Sequence, residues 1–281
     1  MTDNKSLEKQ IDEKFHVYYK LDYALVQTEA DPQKRVFTFE PEIQTHGASQ
    51  GARRYFAARV NEFWEWYTKE CTAPRYFYEL IKESAPCRCF FDLEYYKEYN
   101  PDKFLDLKLD PDKNFLLLDS STEQKFSVHI LVHMPGGKLF PPPSPQALKE
   151  PIIKKLCELC KERRVCLVNS NKGEKCLHDM VIYTHNRDFR LLLSTKRQKK
   201  AAFKYAEYCK FYDTRPADDD YQLFLDSLIT PLDYEKYPVF EQKVLDKILV
   251  DGKVAKKRGS SSQKSQGTQA KKRKSTNFIL K

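Results

Sequence analysis

Apolar and polar positions along this chain follow two different periods, and the switches between them outline its elements. Residues 6–28 interleave charged side chains with aromatic and aliphatic ones, which predicts an amphipathic helix packed on the body. After stretches rich in turn formers (TEADPQKR, then EIQTHGASQG), apolar side chains return at helical spacing over residues 52–70. They fall at Tyr55, Ala58, Val60, Phe63, Trp64 and Tyr67 and predict a second helix. Three runs carry the β-branched and aromatic content of strands between turn-forming or charged flanks: CRCFFDLEYY from residue 87, KFSVHILVHM from 125 and CLHDMVIYT from 176. The prolines of GGKLFPPPSP keep the connection after the second run irregular, and PIIKKLCELCKER beyond it predicts a helix. A last helix is predicted over residues 218–229, where acidic residues open the segment and suit the positive end of a helix dipole. The mixture defines an α/β or α+β domain.

With 281 residues, 41% of them hydrophobic, the chain is long enough for one large domain or two smaller ones sharing a core. No apolar run approaches the roughly 18 residues of a membrane helix, and MTDNKSLEKQ lacks the apolar core of a signal peptide. A soluble, intracellular chain without a membrane partner is expected, its eight cysteines kept as thiols. The net charge of +9 is concentrated at one end. Residues 252–281 hold ten Lys or Arg and no acid, so the body is close to neutral and must use local basic clusters for any contact with nucleic acid. From about residue 251 the composition predicts a disordered basic tail. Its KKRK, residues 271–274, fits either a nuclear import signal or an electrostatic tether to nucleic acid.

Candidate chemistry begins with Asp92 and Glu94. Residues i and i+2 of a strand share a face, so both carboxylates leave one side while Phe91 and Leu93 leave the other. Two converging acids repel unless a cation lies between them, and a hard divalent ion satisfies both; an edge strand showing acids to water would carry the same pair. On the second strand Lys125, Ser127 and His129 share a face, with Phe126, Val128 and Ile130 opposite; all three can donate hydrogen bonds to phosphate oxygens. The third strand adds Asp179. Next, residues 186–200 (NRDFRLLLSTKRQKK) set Arg187, Arg190, Lys196, Arg197, Lys199 and Lys200 against the single acid Asp188, which suits phosphate and equally a solvated charge run. Cys157, Cys160, Cys166, Cys176 and His178 match no zinc module by spacing. Cys157 and Cys160 lie at i and i+3 of an apolar stripe, so zinc is not expected.

In order along the chain, FFDLE, then LLLDSSTEQKFSVHILV, then NKGEKCLHDMVIYTHNRDFRLLLSTK resemble the archaeo-eukaryotic primase superfamily, and within it the eukaryotic primase-polymerase branch, over roughly residues 50–230. The resemblance implies a primase-type catalytic core over residues 1–250, with mixed sheets, flanking helices and an RRM-like catalytic subdomain in two packed halves. It makes Asp92, Glu94 and Asp179 the ligands of a pair of catalytic ions, Mn²⁺ or Mg²⁺. It assigns the nucleotide to the segments around Arg54, Asp92–Leu93–Glu94, Lys125–Phe126–Ser127–Val128–His129, Arg187–Asp188–Phe189–Arg190 and Lys196. The implied activity is metal-dependent nucleotidyl transfer from nucleoside triphosphates onto a primer along a DNA template, in replication restart and damage tolerance, in the nucleus and also the mitochondrion. Family members carry, downstream of the core, a Cys/His zinc segment that supports starting chains and an acidic tail that binds the single-strand binding protein RPA. Here only the basic tail follows, so primer extension is expected from these residues more readily than de novo priming or RPA contact. Two other readings fit parts of the pattern. A metal-dependent nuclease also pairs acids, but often places a lysine two residues after the glutamate, where this chain has Tyr96. A non-catalytic single-strand binding module would use the aromatics and basic loops without needing the acids.

Overall fold

The computed structural model describes residues 5–41, 52–101, 113–142, 148–241 and 243. The basic tail expected to be disordered, and the last residues of the proline loop, lie outside them. No helix among the described residues is long and apolar enough to cross a membrane.

The N-terminal segment forms two helices, α1 (Leu7–Phe15) and α2 (Leu21–Ala30), in place of one. Ser6 caps α1 by accepting from the Lys9 N–H at 3.3 Å. His16 then takes φ 65°, the Val17 N–H turns back to Asp12 Oδ1 at 2.8 Å, and Tyr18 pairs with Tyr55. The chain continues into β1 (Lys34–Phe39) and β2 (Arg54–Arg59). Thus the helix predicted over residues 52–70 starts only at α3 (Val60–Glu65) and ends in a wide turn over Trp66–Glu70. Pairing with β1 decides the first part. In an extended RYFAAR, Phe56 and Ala58 point into the core and the arginines lie at the ends, so sheet burial overrides a helical spacing that the composition also satisfies.

The remaining strands are β3 (Phe77–Ile81), β4 (Cys89–Tyr96), β5 (Phe115–Asp119) and β6 (Lys125–Val132), then the hairpin β7 (Leu167–Ser170) and β8 (Gly173–Cys176), β9 (Arg187–Arg190) and β10 (Lys204–Tyr205). Helix α4 (Lys154–Arg163) precedes the hairpin and α5 (Tyr221–Asp226) follows β10, capped by Asp220. They build two four-stranded sheets, β2-β1-β3-β9 and β10-β5-β6-β4. Every ladder among the described residues is antiparallel, so the class is α+β and the mixed sheets expected from the resemblance are not what these strands form.

One contiguous set of buried side chains runs through both sheets. Under the first sheet it is aromatic: Phe37 stacks on Phe63 at 4.1 Å, and Trp64 on Phe224 of α5 at 4.2 Å. Tyr67 buries its hydroxyl against the Leu192 carbonyl and Ser194 Oγ, each at 2.7 Å. Tyr67→Phe leaves that carbonyl short of a donor and should lower stability by about 1–2 kcal/mol in a urea titration. The chain after α5 is clamped from two sides. Arg88 donates to the carbonyls of Leu225, Asp226 and Leu228, while the buried Glu79 accepts from the Ile229 and Thr230 N–H groups at 2.7 and 2.8 Å.

Candidate active site

β4 and β6 pair so that Asp92 lies directly across from His129, Glu94 from Ser127 and Tyr96 from Lys125. Directly opposite residues of an antiparallel pair share a face, so the two acids and the Lys125–Ser127–His129 set expected to meet phosphate stand on one surface. The third acid arrives on the other edge of β4. Leu93 bridges His178, and the Asp179 N–H donates to the Asp92 carbonyl at 2.9 Å, which sets Asp179 across from Asp92. Regular pairing stops there, because Asp179 Oδ1 accepts from the Val181 N–H at 2.8 Å and turns the chain. The strand predicted from residue 176 to 184 is therefore a hairpin arm followed by a single bridged segment. A strand would set Val181 and Tyr183 together on the side of Asp179, and that alternation fails: Tyr183 is buried and Val181 is 56% exposed.

The carboxylates are not equivalent. Asp92 Oδ1 is buried with no hydrogen-bond partner. Burial first, then Glu94 and Asp179, push the Asp92 carboxyl up to about 7 against the pull of Arg190 and Lys125. Burial also pushes Glu94 upward, but its ion pair with Lys125, backed by Lys175 and Lys196, holds that carboxyl below the ordinary glutamate value. Asp92 is thus the acid short of a cation, and Glu94 already has one. The three carboxylates share the face without gathering into a single cluster: among the described residues, only Cys157, Cys176 and His178 bring three such ligand atoms within 4.8 Å of one another.

His129 is stacked between Phe189 at 3.9 Å and Phe203 at 3.6 Å, with its Nδ1 unpartnered. Burial, with the charge of Arg190 nearby, holds it well below 6.5, so it is a neutral imidazole. Ser127 is buried too, its hydroxyl 3.0 Å from that of Ser120 and its N–H donating to Ser121 Oγ at 3.0 Å. Leu93, Phe126 and Val128, which the resemblance places among the nucleotide-binding segments, have side chains on the reverse face. Leu93 and Val128 lie in the core and Phe126 stacks on Tyr95 at 5.0 Å, so these side chains do not line the site.

The basic residues divide. Arg190 approaches from β9, its guanidinium 4.7 Å over the ring of Phe203, and its charge is felt at both Asp92 and His129. Phe189 joins the site as one slice of the histidine stack. Arg187 and Arg190 each bury an unpartnered Nε, and so does Arg54, which lies over Tyr19 at 4.3 Å on the far edge strand of its sheet. Asp188 is engaged elsewhere: Thr38 Oγ1 donates to it at 2.9 Å and Arg53 Nε at 3.0 Å. Sequence reasoning missed Lys175. With Glu94, Tyr96, Tyr99, Lys125 and Lys172 it lines a cleft of about 470 Å³ that opens beside the acids. The signal was the hairpin turn NKG, which swings KGEKC back along β7.

Around one buried carboxylate oxygen without a partner, these strands collect further acids and a rim of cationic donors, a site suited to a cation and the phosphate oxygens it would share. Known sequences point the same way. No protein-family model matches the chain. It is 28% identical to a DNA-directed primase/polymerase protein of Danio rerio over 68% of this chain and 46% of the relative. Against the Homo sapiens protein of that name the identity is 26%, over 64% and 46%, and against that of Mus musculus 27%, over 64% and 45%. The matches bear out the likeness to the primase-polymerase family read from the motifs. The chain spans about half the length of the curated relatives it matches.

Proposed function

We propose that this chain carries the catalytic core of a DNA-directed primase-polymerase and transfers nucleotides from nucleoside triphosphates to a primer end along a DNA template. The observation that carries the reading is the buried, unpartnered Asp92 Oδ1, set across from Asp179 on one side and His129 on the other. An isolated carboxyl raised to about 7 by burial and like charge is unfavourable in itself, and a divalent cation relieves it.

In this reading Asp92, Glu94 and Asp179 hold Mn²⁺ or Mg²⁺, which supplies charge for the attacking and leaving oxygens. Lys125 exchanges its ion pair with Glu94 for a triphosphate oxygen, freeing that carboxylate as it does so. Lys175, Lys196 and Arg190 offset the remaining phosphate charge, and the neutral His129 donates a hydrogen bond without adding charge. Tyr96 and Tyr99, 52% and 41% exposed at the rim of the cleft, offer ring faces to unstacked bases. Positions outside the face keep supporting roles: Arg54 and Arg187 reach template or nucleotide, and Asp188 orients Arg53.

The test is templated extension with Mn²⁺, with Mg²⁺ and with chelator, with and without a supplied primer. Metal-dependent extension of a primed template is expected. A chain that binds single strands equally well with chelator, and never extends them, is the passive binding module instead.

A further inference from the structure

We propose that Cys157, Cys176 and His178 bind a zinc ion on the face of β4 opposite the acids. The Cys157 Sγ lies 2.8 Å from His178 Nε2, and all three ligand atoms lie within 4.8 Å of one another. A tetrahedral zinc centre, with bonds of about 2.0–2.3 Å, spaces its donor atoms by roughly 3.3–3.8 Å, so small side-chain adjustments around the ion suffice. Two thiols and an imidazole nitrogen with no carboxylate among them favour zinc over the hard ions suited to the acids on the other side. Cys157 comes from α4, and Cys176 and His178 from the stretch that leaves the end of β8, so two separate pieces of chain meet here. Apolar packing from Leu156, Cys160 and Leu167 backs the cysteines, and Cys157 is only half-buried, which leaves the fourth position to water. Binding releases the two thiol protons and leaves the imidazole neutral.

The location gives the ion a structural consequence. His178 pairs with Leu93 and faces Phe91 on the reverse side of the sheet, while the next residue, Asp179, pairs with Asp92 on the acid side. An ion holding His178 from behind would hold the backbone that presents Asp179. That consequence rests on the polymerase reading; the binding itself does not.

The experiment is metal analysis of the full chain and optical spectroscopy of its cobalt-substituted form. The expected result is one tightly held zinc per chain after dialysis, and a thiolate-to-cobalt charge-transfer band with the strong visible absorption of a tetrahedral centre. C157S and C176S should each weaken zinc binding at least about tenfold. Asp92→Ala should leave both signals intact even where it stops nucleotide incorporation, so loss of the polymerase reading and loss of the zinc site are separately visible. A folded chain that keeps no zinc and shows no thiolate–cobalt band overturns the proposal. So does a C157S/C176S double variant that keeps zinc as well as the parent does.

Discussion

On the proposed polymerase function, Asp92→Asn should lower templated incorporation by about a thousandfold or more, and at the same time stabilise the metal-free chain at pH 8. Asparagine keeps the shape and removes the charge. In the metal-free protein the aspartate's carboxyl is raised from an ordinary 3.8 to about 7. The folded state therefore binds a proton there that the unfolded chain has already lost between those two values. The stability associated with the neutral form is complete below the ordinary aspartate range and is lost as pH rises through about 7. Above that, the wild type holds a buried charge that the variant lacks. The variant should gain about 3–4 kcal/mol at pH 8 and nothing below about pH 4. Urea titrations at the two pH values, with chelator present, measure this; adding Mn²⁺ should narrow the gap at pH 8, because only the wild type has the carboxylate to bind it. A variant that is less stable at pH 8, or still extends primers, would remove Asp92 from the role argued for it.

The second large effect concerns the fold. Glu79→Ala should destabilise the chain by about 3–5 kcal/mol, because it strands four groups at once. The Ile229 and Thr230 N–H groups lose their acceptor, and the half-buried Arg35 and the buried Arg88 lose a nearby countercharge. Arg88 would still brace the Leu225–Leu228 carbonyls, but from one side only. Glu79→Gln keeps an acceptor oxygen and should recover part of the loss. Denaturant midpoints at constant slope give both numbers.

The heart of the site was legible because strand alternation is a strict rule. Asp92 with Glu94, and Lys125 with Ser127 and His129, had to share faces once each run was extended, and the register then set the two runs side by side. The first sheet was harder to see. KRVFTF and FYELI sit among turn formers and charges, and they become strands because their neighbours complete a buried surface. The same tertiary term turned RYFAAR from helix into strand. Asp179 was recognised by its place in a motif, while the turn its own side chain makes at Val181 was not foreseen. The cysteines show the opposite limit. Nothing in the spacing of Cys157, Cys176 and His178 resembles a module, because a hairpin between the first and the others folds out of the way and brings them together. Arg190 was named from the sequence, though not its approach to Asp92 from the other sheet, and Lys175 needed the third dimension altogether, since it reaches Glu94 from the hairpin.

The stack of Phe189, His129 and Phe203 acts as a spacer between the two sheets. Flat rings have a fixed thickness, so the spacing of β9 from β6 at this point is gauged by stiff plates, with no long flexible arm to absorb a change. A smaller residue at Phe189 would let the two sheets settle closer at this point and shift Arg190 relative to Asp92 even though no charged group had been touched.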